Sequence, residues 1–492
     1  MKIFKEIFIK EIQLYLYDKK LIITWIGIIL LMVINSFIFL SEHNLNQKKY
    51  ETIVKQNAEK LDLDVDKYLP EIMYALHVVN MDEKIVEEYL QTKLSDLIFI
   101  NQQIPLEPAK LAFISSSKKD IPNGITLNYF GIGKPVISTQ NGNRLSNIEL
   151  DWTNLIVYVI SFICICFSYN IFSGEKINGT LKLIFTNNIS RSTILLAKYL
   201  SVLIVLITPI LIGMLINIII LNMSNIITLS SNDYLMILLF IVSMILFISV
   251  IILLVMIISI KTSTPSVSLV ISLLIWMLFA VVVPNTSWIL SKYTSPIQSI
   301  NSIYTTRNKT FEREKLGKYE GWWSDRWNNK EPEKGVYKWK NTVDRMDQVH
   351  NNLLENYKQS IFKQTNTAIK FTNISPFKLF QNLSDKICDN NFYRYVNFYN
   401  QIKNYHKSYQ QQIVEIDSKD ENSYHLIWND EKTKSFMSNK TIKGEEILKF
   451  TYKNKLVGKI IYSSLTNLLL LFVWATFLFV LSFIFLIRYD VR

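Results

Sequence analysis

The residues that could carry metal, nucleophilic or nucleotide chemistry are few in this sequence and stand far apart. The histidines are His43, His77, His350, His406 and His425, and the cysteines are Cys164, Cys166 and Cys388. No H-E-x-x-H, C-x-x-C or G-x-S-x-G motif occurs, so the spacings of zinc, thiol-redox and hydrolase sites are missing. The glycine-containing stretch 131–135 lacks the spacing and the hydroxyl of a phosphate-binding P-loop. We therefore expect no catalytic residue, metal or cofactor in this chain.

A polar, basic stretch from Ser173 to Leu200 lies between two apolar runs and is called the basic island below. Its charged residues are Glu175, Lys176, Lys182, Arg191 and Lys198. Such side chains can pair with charges on a partner protein or on another part of the chain. Alternatively, they only fix the orientation of the chain in a membrane, because short basic loops resist translocation.

Six apolar runs surround this island, and each is long enough to cross a membrane, which takes about 20 helical residues. They are Leu21 to Leu40, Trp152 to Phe172, Ser201 to Leu221, Tyr234 to Ile260, Pro265 to Leu290 and Ile460 to Ile487. None contains Asp, Glu, Lys, Arg or His, whereas ion-coupled and proton-coupled transporters place an ionisable group in the membrane. If the protein moves a substrate, the energy must therefore enter outside the spans.

The lysines and arginines of the short loops predict the orientation of the spans, because these residues stay in the cytosol. Outside the island they are Lys2, Lys5, Lys10, Lys19 and Lys20, then Lys261, and finally Arg488 and Arg492. Alternation places both termini and the basic island in the cytosol, which predicts a multi-pass protein of the plasma (inner) membrane. The net charge of +12 is spread over separate segments, which is not typical of nucleic-acid binding.

The first 20 residues have apolar and polar side chains on opposite sides of a helix, which predicts an amphipathic helix in the cytosolic interface. The alternative is a plain extension of the first span. The segment 41–151 shows helical patterns at Leu45 to Leu61 and Asp82 to Ile98, then strand candidates at 111–115 and 124–130. These patterns predict an α+β outer domain.

The second long segment, 291–459, is predicted to be mainly helical. Apolar residues recur at three- and four-residue spacing from Val343 to Ile361, and a Tyr- and Gln-rich stretch runs from Phe392 to Ile416, which together predict a helical hairpin. Four tryptophans, Trp322, Trp323, Trp327 and Trp339, either bind a partner or headgroups, or cover a small core. The basic excess of this segment either binds anionic headgroups or an acidic partner, or is a solvated surface.

The predicted fold is a polytopic α-helical membrane protein with six transmembrane helices and two outer domains, the first α+β and the second mainly helical. The boundaries are 1–20 for the interfacial helix, 21–40 for span 1, 41–151 for outer domain 1, 152–172 for span 2, 173–200 for the cytosolic loop, 201–290 for spans 3 to 5, 291–459 for outer domain 2, 460–487 for span 6 and 488–492 for the cytosolic tail.

Within the basic island, an acidic residue is followed by Gly-Thr-Leu, then Ser-Arg, then a lysine at the start of the next span. The residues are Glu175, Gly179, Thr180, Leu181, Ser190, Arg191 and Lys198. This ordered set resembles the intracellular loop of ABC-2-type transporter permeases. Further along, Ser263-Thr264-Pro265 and Ile374-Ser375-Pro376-Phe377 look like the subgroup with two large extracytoplasmic domains, which includes the nitrous-oxide-reductase maturation permease. Asn285 departs from that subgroup, where many relatives have a basic residue.

The resemblance implies a non-catalytic permease subunit, with ATP and Mg²⁺ bound by two copies of a partner ATPase that dock on the island. A second permease, identical or related, and the lipid bilayer complete the expected partners. The seven island residues are then expected to couple the ATPase to the spans, with Gly179 allowing a close turn and Thr180 capping the next helix. Glu175 and Arg191 are expected to pair with ATPase charges or to tie the island to the amino-terminal helix.

Export of a peptide, a lipid-linked molecule or a maturation factor is the function that the resemblance implies. The alternative is a non-transporting mechanotransmission or sensing subunit that relays between an extracytoplasmic partner and the ATPase. A membrane-anchored extracellular enzyme would need a catalytic set of residues, and the sequence offers none.

Overall fold

A computed structural model describes residues 2–61, 92–98, 100–116, 124–136, 150–186, 189–316, 332–427, 436–438, 440–442 and 446–489. In this part of the chain, six helical stretches are long and apolar enough to cross a membrane. They are Lys19–Asn57, Trp152–Ile177, Arg191–Met223, Ser231–Lys261, Pro265–Thr294 and Val457–Ile487. The prediction of a polytopic helical membrane protein with six spans is thereby confirmed.

The described helices are numbered here in chain order. They are α1 Lys2–Leu16, α2 Lys19–Leu61, α3 Leu94–Leu97, α4 Trp152–Asn154, α5 Ser161–Ser168, α6 Ser173–Ile177, α7 Thr180–Thr186, α8 Arg191–Met223, α9 Ser231–Lys261, α10 Pro265–Met277, α11 Val283–Thr294, α12 Ile300–Arg313, α13 Pro332–Thr372, α14 Pro376–Ile387, α15 Phe392–Ser418 and α16 Val457–Ile487. Two spans contain a π-helical stretch, Leu155–Ile160 between α4 and α5, and Leu278–Val282 between α10 and α11.

Several spans begin where a polar residue satisfies the free amides of the first helical turn. Ser190 accepts a hydrogen bond from the amide of Thr193 at the start of α8. Ser230 and Asp233 bond reciprocally as a capping box at the start of α9. Pro265 opens α10, where its missing amide hydrogen costs nothing. The beginnings of these spans therefore follow from local sequence.

The first span is longer than expected, because α2 continues without a break from Lys19 to Leu61. The helix predicted at Leu45 to Leu61 is thus the end of α2 and not a separate element. Only Tyr17 and Asp18 separate α2 from α1, so the amino-terminal helix joins the first span through a short turn.

The spans α2 and α8 pack closely because Gly213 has no side chain. A Cβ atom at Gly213 would lie 2.9 Å from Cγ of Met32. One turn further along α8, the buried Asn217 donates from Nδ2 to the Met32 carbonyl and to Oδ1 of Asn35, both at 2.9 Å. These amides make the interhelical hydrogen bonds expected of polar residues in a span.

The strands are short and few in the described part of the chain. They are β1 Thr92–Lys93, β2 Gln102–Pro105, β3 Gly124–Asn128, β4 Gly131–Val136 and β5 Thr441–Ile442. A three-stranded antiparallel sheet has the order β2-β3-β4, with Ile104 opposite Ile125, and β1 pairs antiparallel with β5 from the second long segment. The strand predicted from Gly124 onwards is confirmed.

Two local predictions for the first long segment are wrong where the structure describes them. The stretch 111–114 forms turns instead of a strand, because Phe113 and Ile114 are buried in the core of the helical bundle. In the helix predicted at Asp82 to Ile98, residues 92–93 form β1 and only 94–97 are helical, while 82–91 lie outside the described residues.

The helices predicted in the second long segment are confirmed as α13 and α15, but α14 between them was not foreseen. This helix inserts its aromatic side chains against the span α9. The rings of Phe380 and Phe247 stack with centroids 4.7 Å apart, and Phe377 meets Phe247 edge-on at 5.3 Å. Because α14 also packs on α16, it contacts two spans at once. The tryptophans 322, 323 and 327 lie outside the described residues.

The two long segments also share a hydrophobic core. Its buried members from the first segment are Ile104, Leu106, Ile125 and Leu127, and those from the second are Phe398, Tyr399 and Ile402. Together with the β1–β5 pairing, this cluster joins the two segments at the end of the bundle to which α14 is attached.

Candidate functional site

The basic island folds into two short helices, α6 and α7, followed by the start of α8. Gly179 precedes α7 with φ of +71°, a backbone conformation that glycine adopts without steric cost, so the expected close turn is present. The Thr180 hydroxyl donates to the carbonyl of Glu175 at 3.3 Å and links the end of α6 to α7. Leu181 is buried against the bundle and anchors α7 there.

Lys198 is the most enclosed charged residue of the island. Its side chain is 3% exposed, and its Nζ donates to Oε1 of Glu11 at 2.7 Å and to Oε1 of Glu175 at 2.8 Å. These three side chains come from α8, α1 and α6, respectively. One ammonium group therefore holds the amino-terminal helix, the island and a span together.

This arrangement is stable only as a unit, because an ion taken from water loses its hydration and needs opposite charge in return. Two carboxylates around one ammonium supply that charge. Tyr15, one turn beyond Glu11 on α1, lies in the same buried and negatively charged environment. Burial, and after it the negative charges of Glu11 and Glu175, raises the pKa of the Tyr15 hydroxyl well above its usual value.

Arg191 binds the carboxyl-terminal end of the last span, α16. Its Nη1 donates to the carbonyl of Leu486 at 2.9 Å, to that of Tyr489 at 3.1 Å and to that of Ile487. A helix leaves its last carbonyls without internal partners and carries partial negative charge at that end, so a cation is favoured there. Arg191 thus fastens the start of α8 to the end of α16.

Lys176 binds the carboxyl-terminal end of α9 in the same way. Its Nζ donates to the carbonyl of Thr262 at 2.9 Å, to that of Ser259 at 3.4 Å and to that of Ile260. The hydroxyl of Ser259 in turn accepts from the amides of Phe172 and Ser173, at 3.1 and 3.0 Å. The start of α6 is therefore attached to α9 by side-chain and backbone contacts.

The side of the island that faces away from the bundle is partly apolar. Ile177 at the end of α6 is 59% exposed, and Leu183 in α7 is 67% exposed. Thr180 and Lys182 beside them are also exposed. Large apolar side chains that stay exposed outside the packed core make this side of the island a candidate interaction site.

The structure thus divides the seven predicted site residues by position. Glu175 and Lys198 are joined to each other, Arg191 is joined to α16, Ser190 caps α8, Gly179 and Thr180 form the turn into α7, and Leu181 is buried. Of the alternatives left open for Glu175, the internal tie to the amino-terminal helix is present, through Lys198. Arg191 makes its contacts with the last span instead.

Sequence reasoning missed Glu11, Lys176 and Ser259 as members of this site. A signal for Glu11 existed, since it stands three residues after Phe8 and four before Tyr15, on the apolar side of an amphipathic helix. An acid on that face needs a buried partner. Ser259 offered no such signal, because serines in spans commonly bond only to their own helix.

The sequence of this chain also matches a known protein family. The sequence profile described as "ABC-2 family transporter protein" matches residues 6–491, which is nearly the whole chain. A search of curated proteins finds no match.

Proposed function

Since this chain belongs to the ABC-2 transporter family, it is a membrane component of an ABC system, and we propose that it is the permease subunit of an ATP-driven exporter. ATP and Mg²⁺ bind to a separate ATPase, two copies of which dock on two permeases, identical or related. The chain lies in the plasma membrane with both termini and the basic island in the cytosol, as its short-loop lysines and arginines indicate.

One observation carries the proposal: an exposed, partly apolar surface is built on an island that is fastened to three other parts of the chain. Ile177 and Leu183 form the surface that meets the ATPase. Lys198, Arg191 and Lys176 connect it to α1, α16 and α9. A push on the island therefore reaches the amino-terminal helix and the ends of two spans through these side-chain contacts.

In this mechanism the residues of the island transmit force and carry out no chemistry. Movement of the ATPases on ATP binding displaces α6 and α7, and the attached spans change their packing between inward-facing and outward-facing arrangements. The cargo belongs to a class handled at or beyond the outer leaflet, namely a peptide, a lipid-linked molecule or a maturation factor.

The test is ATPase stimulation in a complex of the purified chain with its ATPase. Ile177→Asp and Leu183→Asp place a charge on the proposed docking surface, so we expect binding of the ATPase to weaken by about tenfold or more and stimulation to fall accordingly. Tyr293→Asp is the matched control, because Tyr293 is 82% exposed and lies at the end of α11. Wild-type binding and stimulation in both island variants would refute this docking surface.

A second candidate function, a non-transporting relay, is favoured by one specific feature. The helix α14 packs on α9 and α16, the same spans whose ends are bound by Lys176 and Arg191. A partner that moves α14 could therefore act on the ATPase through these spans. ATP-dependent uptake of cargo by inverted vesicles supports export, whereas an ATPase that responds to an outer partner without uptake supports the relay.

A further inference from the structure

A large cavity lies at the end of the bundle opposite the basic island, between α11 and the helices α12 to α15. Its volume is about 940 Å³, near the upper end of the range of roughly 300–1,000 Å³ typical of ligand pockets. Aromatic side chains make up much of its wall, among them Trp288, Tyr304, Phe362, Phe392, Tyr395 and Tyr399. Such a wall favours an apolar ligand or an apolar part of one.

Three lysines also line this cavity, Lys358, Lys378 and Lys386. The side-chain hydrogen bonds of Lys358 and Lys386 go to uncharged groups, and Glu355, whose charge acts on Lys358, is itself paired with Lys403. Nζ of Lys358 donates to the carbonyl of Ile132 at 3.3 Å and lies 4.9 Å from the centroid of the Tyr399 ring. Nζ of Lys386 donates to the Ser463 carbonyl at 3.3 Å and to Oδ1 of Asn467 at 3.1 Å. These contacts orient the ammonium groups without neutralising them.

The charge of the cavity wall is therefore positive. Lys358, Lys378 and Lys386 line it together with a single acidic residue, Asp385, which accepts a hydrogen bond from Ser115. Within the described residues, none of the three lysines has a carboxylate within salt-bridge distance. Burial lowers the pKa of Lys358 and of Lys386, because the charged form is poorly solvated there. An anion in the cavity would relieve that cost.

The position of the cavity indicates where its ligand comes from. Pro284, Asn285 and Trp288 belong to α11, the last part of the fifth span. Ile125 and Ile132 come from the first long segment, and the rest of the wall belongs to the second. Tryptophan at the end of a span is typical of the membrane interface. A ligand can therefore enter from the headgroup region, with its charged group among the lysines and its apolar part along the aromatic wall.

We propose that this cavity binds an anionic membrane lipid from the outer leaflet, held at its phosphate by Lys358, Lys378 and Lys386. The inference names a ligand class for the proposed exporter, and it rests on that proposal for the side of the membrane. A lipid fits better than a free anion, because a free anion would leave the aromatic wall unused.

The test uses the full chain in nanodiscs of phosphatidylcholine that contain increasing amounts of brominated phosphatidylglycerol. Bromine quenches nearby tryptophan, and the part of the quenching that disappears in Trp288→Phe reports occupancy of the cavity. We expect brominated phosphatidylglycerol to quench Trp288 at mole fractions about tenfold lower than brominated phosphatidylcholine. The triple variant Lys358→Gln, Lys378→Gln and Lys386→Gln should lose this preference, because the attraction of an anionic headgroup depends on the cationic side chains beside it.

The matched control is the triple variant Lys363→Gln, Lys370→Gln and Lys407→Gln, whose lysines are exposed on α13 and α15 and do not line the cavity. It should keep the wild-type preference. Thr365→Phe fills the cavity without removing a charge and should abolish the selective quenching, which guards against a misfolded lysine variant.

Equal quenching by the two lipids in the wild-type chain would overturn the proposal, because it would mark Trp288 as an ordinary lipid contact. Displacement of the brominated lipid by inorganic phosphate or by a soluble acidic peptide would also overturn it. The outcome is separable from that of the exporter proposal. A chain that stimulates its ATPase but shows no lipid preference loses only the cavity assignment, and one that binds the lipid without stimulation loses only the exporter function.

Discussion

Lys198 lies between Glu11 and Glu175, and this cluster is the clearest case in which one side chain joins three elements. A lysine at the mouth of a span would ordinarily be explained by the preference of basic residues for the cytosolic side. Its near-complete burial indicates a further role, because a buried cation loses the stabilisation that hydration gives it and needs opposite charge in its place. Glu11 and Glu175 supply that charge, and their bonds to Lys198 hold α1 against α6.

Lys198→Met should therefore destabilise the protein by about 3 kcal/mol, the lower end of the range for breaking a buried ion pair, since both carboxylates retain some contact with water. The cost arises because two carboxylates are left close together without a cation. Thermal unfolding in detergent is the measurement. Lys182→Met, which removes an exposed lysine of the same island, should change the melting temperature little.

Adding Glu175→Gln to Lys198→Met should restore part of the lost stability, because the remaining repulsion disappears. If Lys198→Met unfolds at the wild-type temperature, or if the second substitution has no effect, the cluster does not hold these elements together.

Among the elements, the pair α2 and α8 shows how spans without charged residues find a specific register. Gly213 lets the helices approach, and Asn217 then bonds to Asn35 and to the Met32 carbonyl. Small residues and amides have this role in membranes because lipid is as apolar as the side chains, so close packing and hydrogen bonds must supply specificity.

Gly213→Ala should lower the stability of the helix pair by about 1–3 kcal/mol, because the added methyl group would lie 2.9 Å from Met32 Cγ and force the helices apart. Gly27→Ala in α2 is the control, since a Cβ there meets nothing within 4 Å and the change in helix propensity is the same. Equal melting temperatures for the two alanine variants would contradict this account of the packing.

On the scale of the whole molecule, the spans α9 and α16 connect the basic island with the end of the bundle where the cavity lies. Lys176 and Arg191 bind their carboxyl ends, and α14 packs on both of them towards the other end. The cavity between α11 and α15 also has Lys386 of α14 in its wall, and Lys386 bonds to Asn467 of α16. In the proposed mechanism, movement of the island and occupancy of the cavity would act on the same helices.

Arg191→Gln should separate docking from transmission in the complex with the ATPase. We expect the ATPase to bind with near wild-type affinity, because Ile177 and Leu183 are unchanged. Stimulation should fall several-fold, because the hydrogen bonds from residue 191 to the end of α16 are weakened. Co-purification and ATPase rates measure the two quantities. Arg313→Gln, which changes an exposed arginine of α12, should leave both unaltered, and a wild-type rate in Arg191→Gln would exclude the proposed transmission route.

The sequence by itself determined the six spans, because long runs without a charged residue have few alternatives to crossing a membrane. It also located the basic island, the turn at Gly179 and the helices α13 and α15, all of which depend on local pattern. The tertiary structure alone decided that Glu175 pairs with Lys198, that Arg191 binds α16 and that α14 packs into the bundle. Those contacts join residues far apart in the chain, and one sequence does not reveal which distant charge or helix end fills a given place.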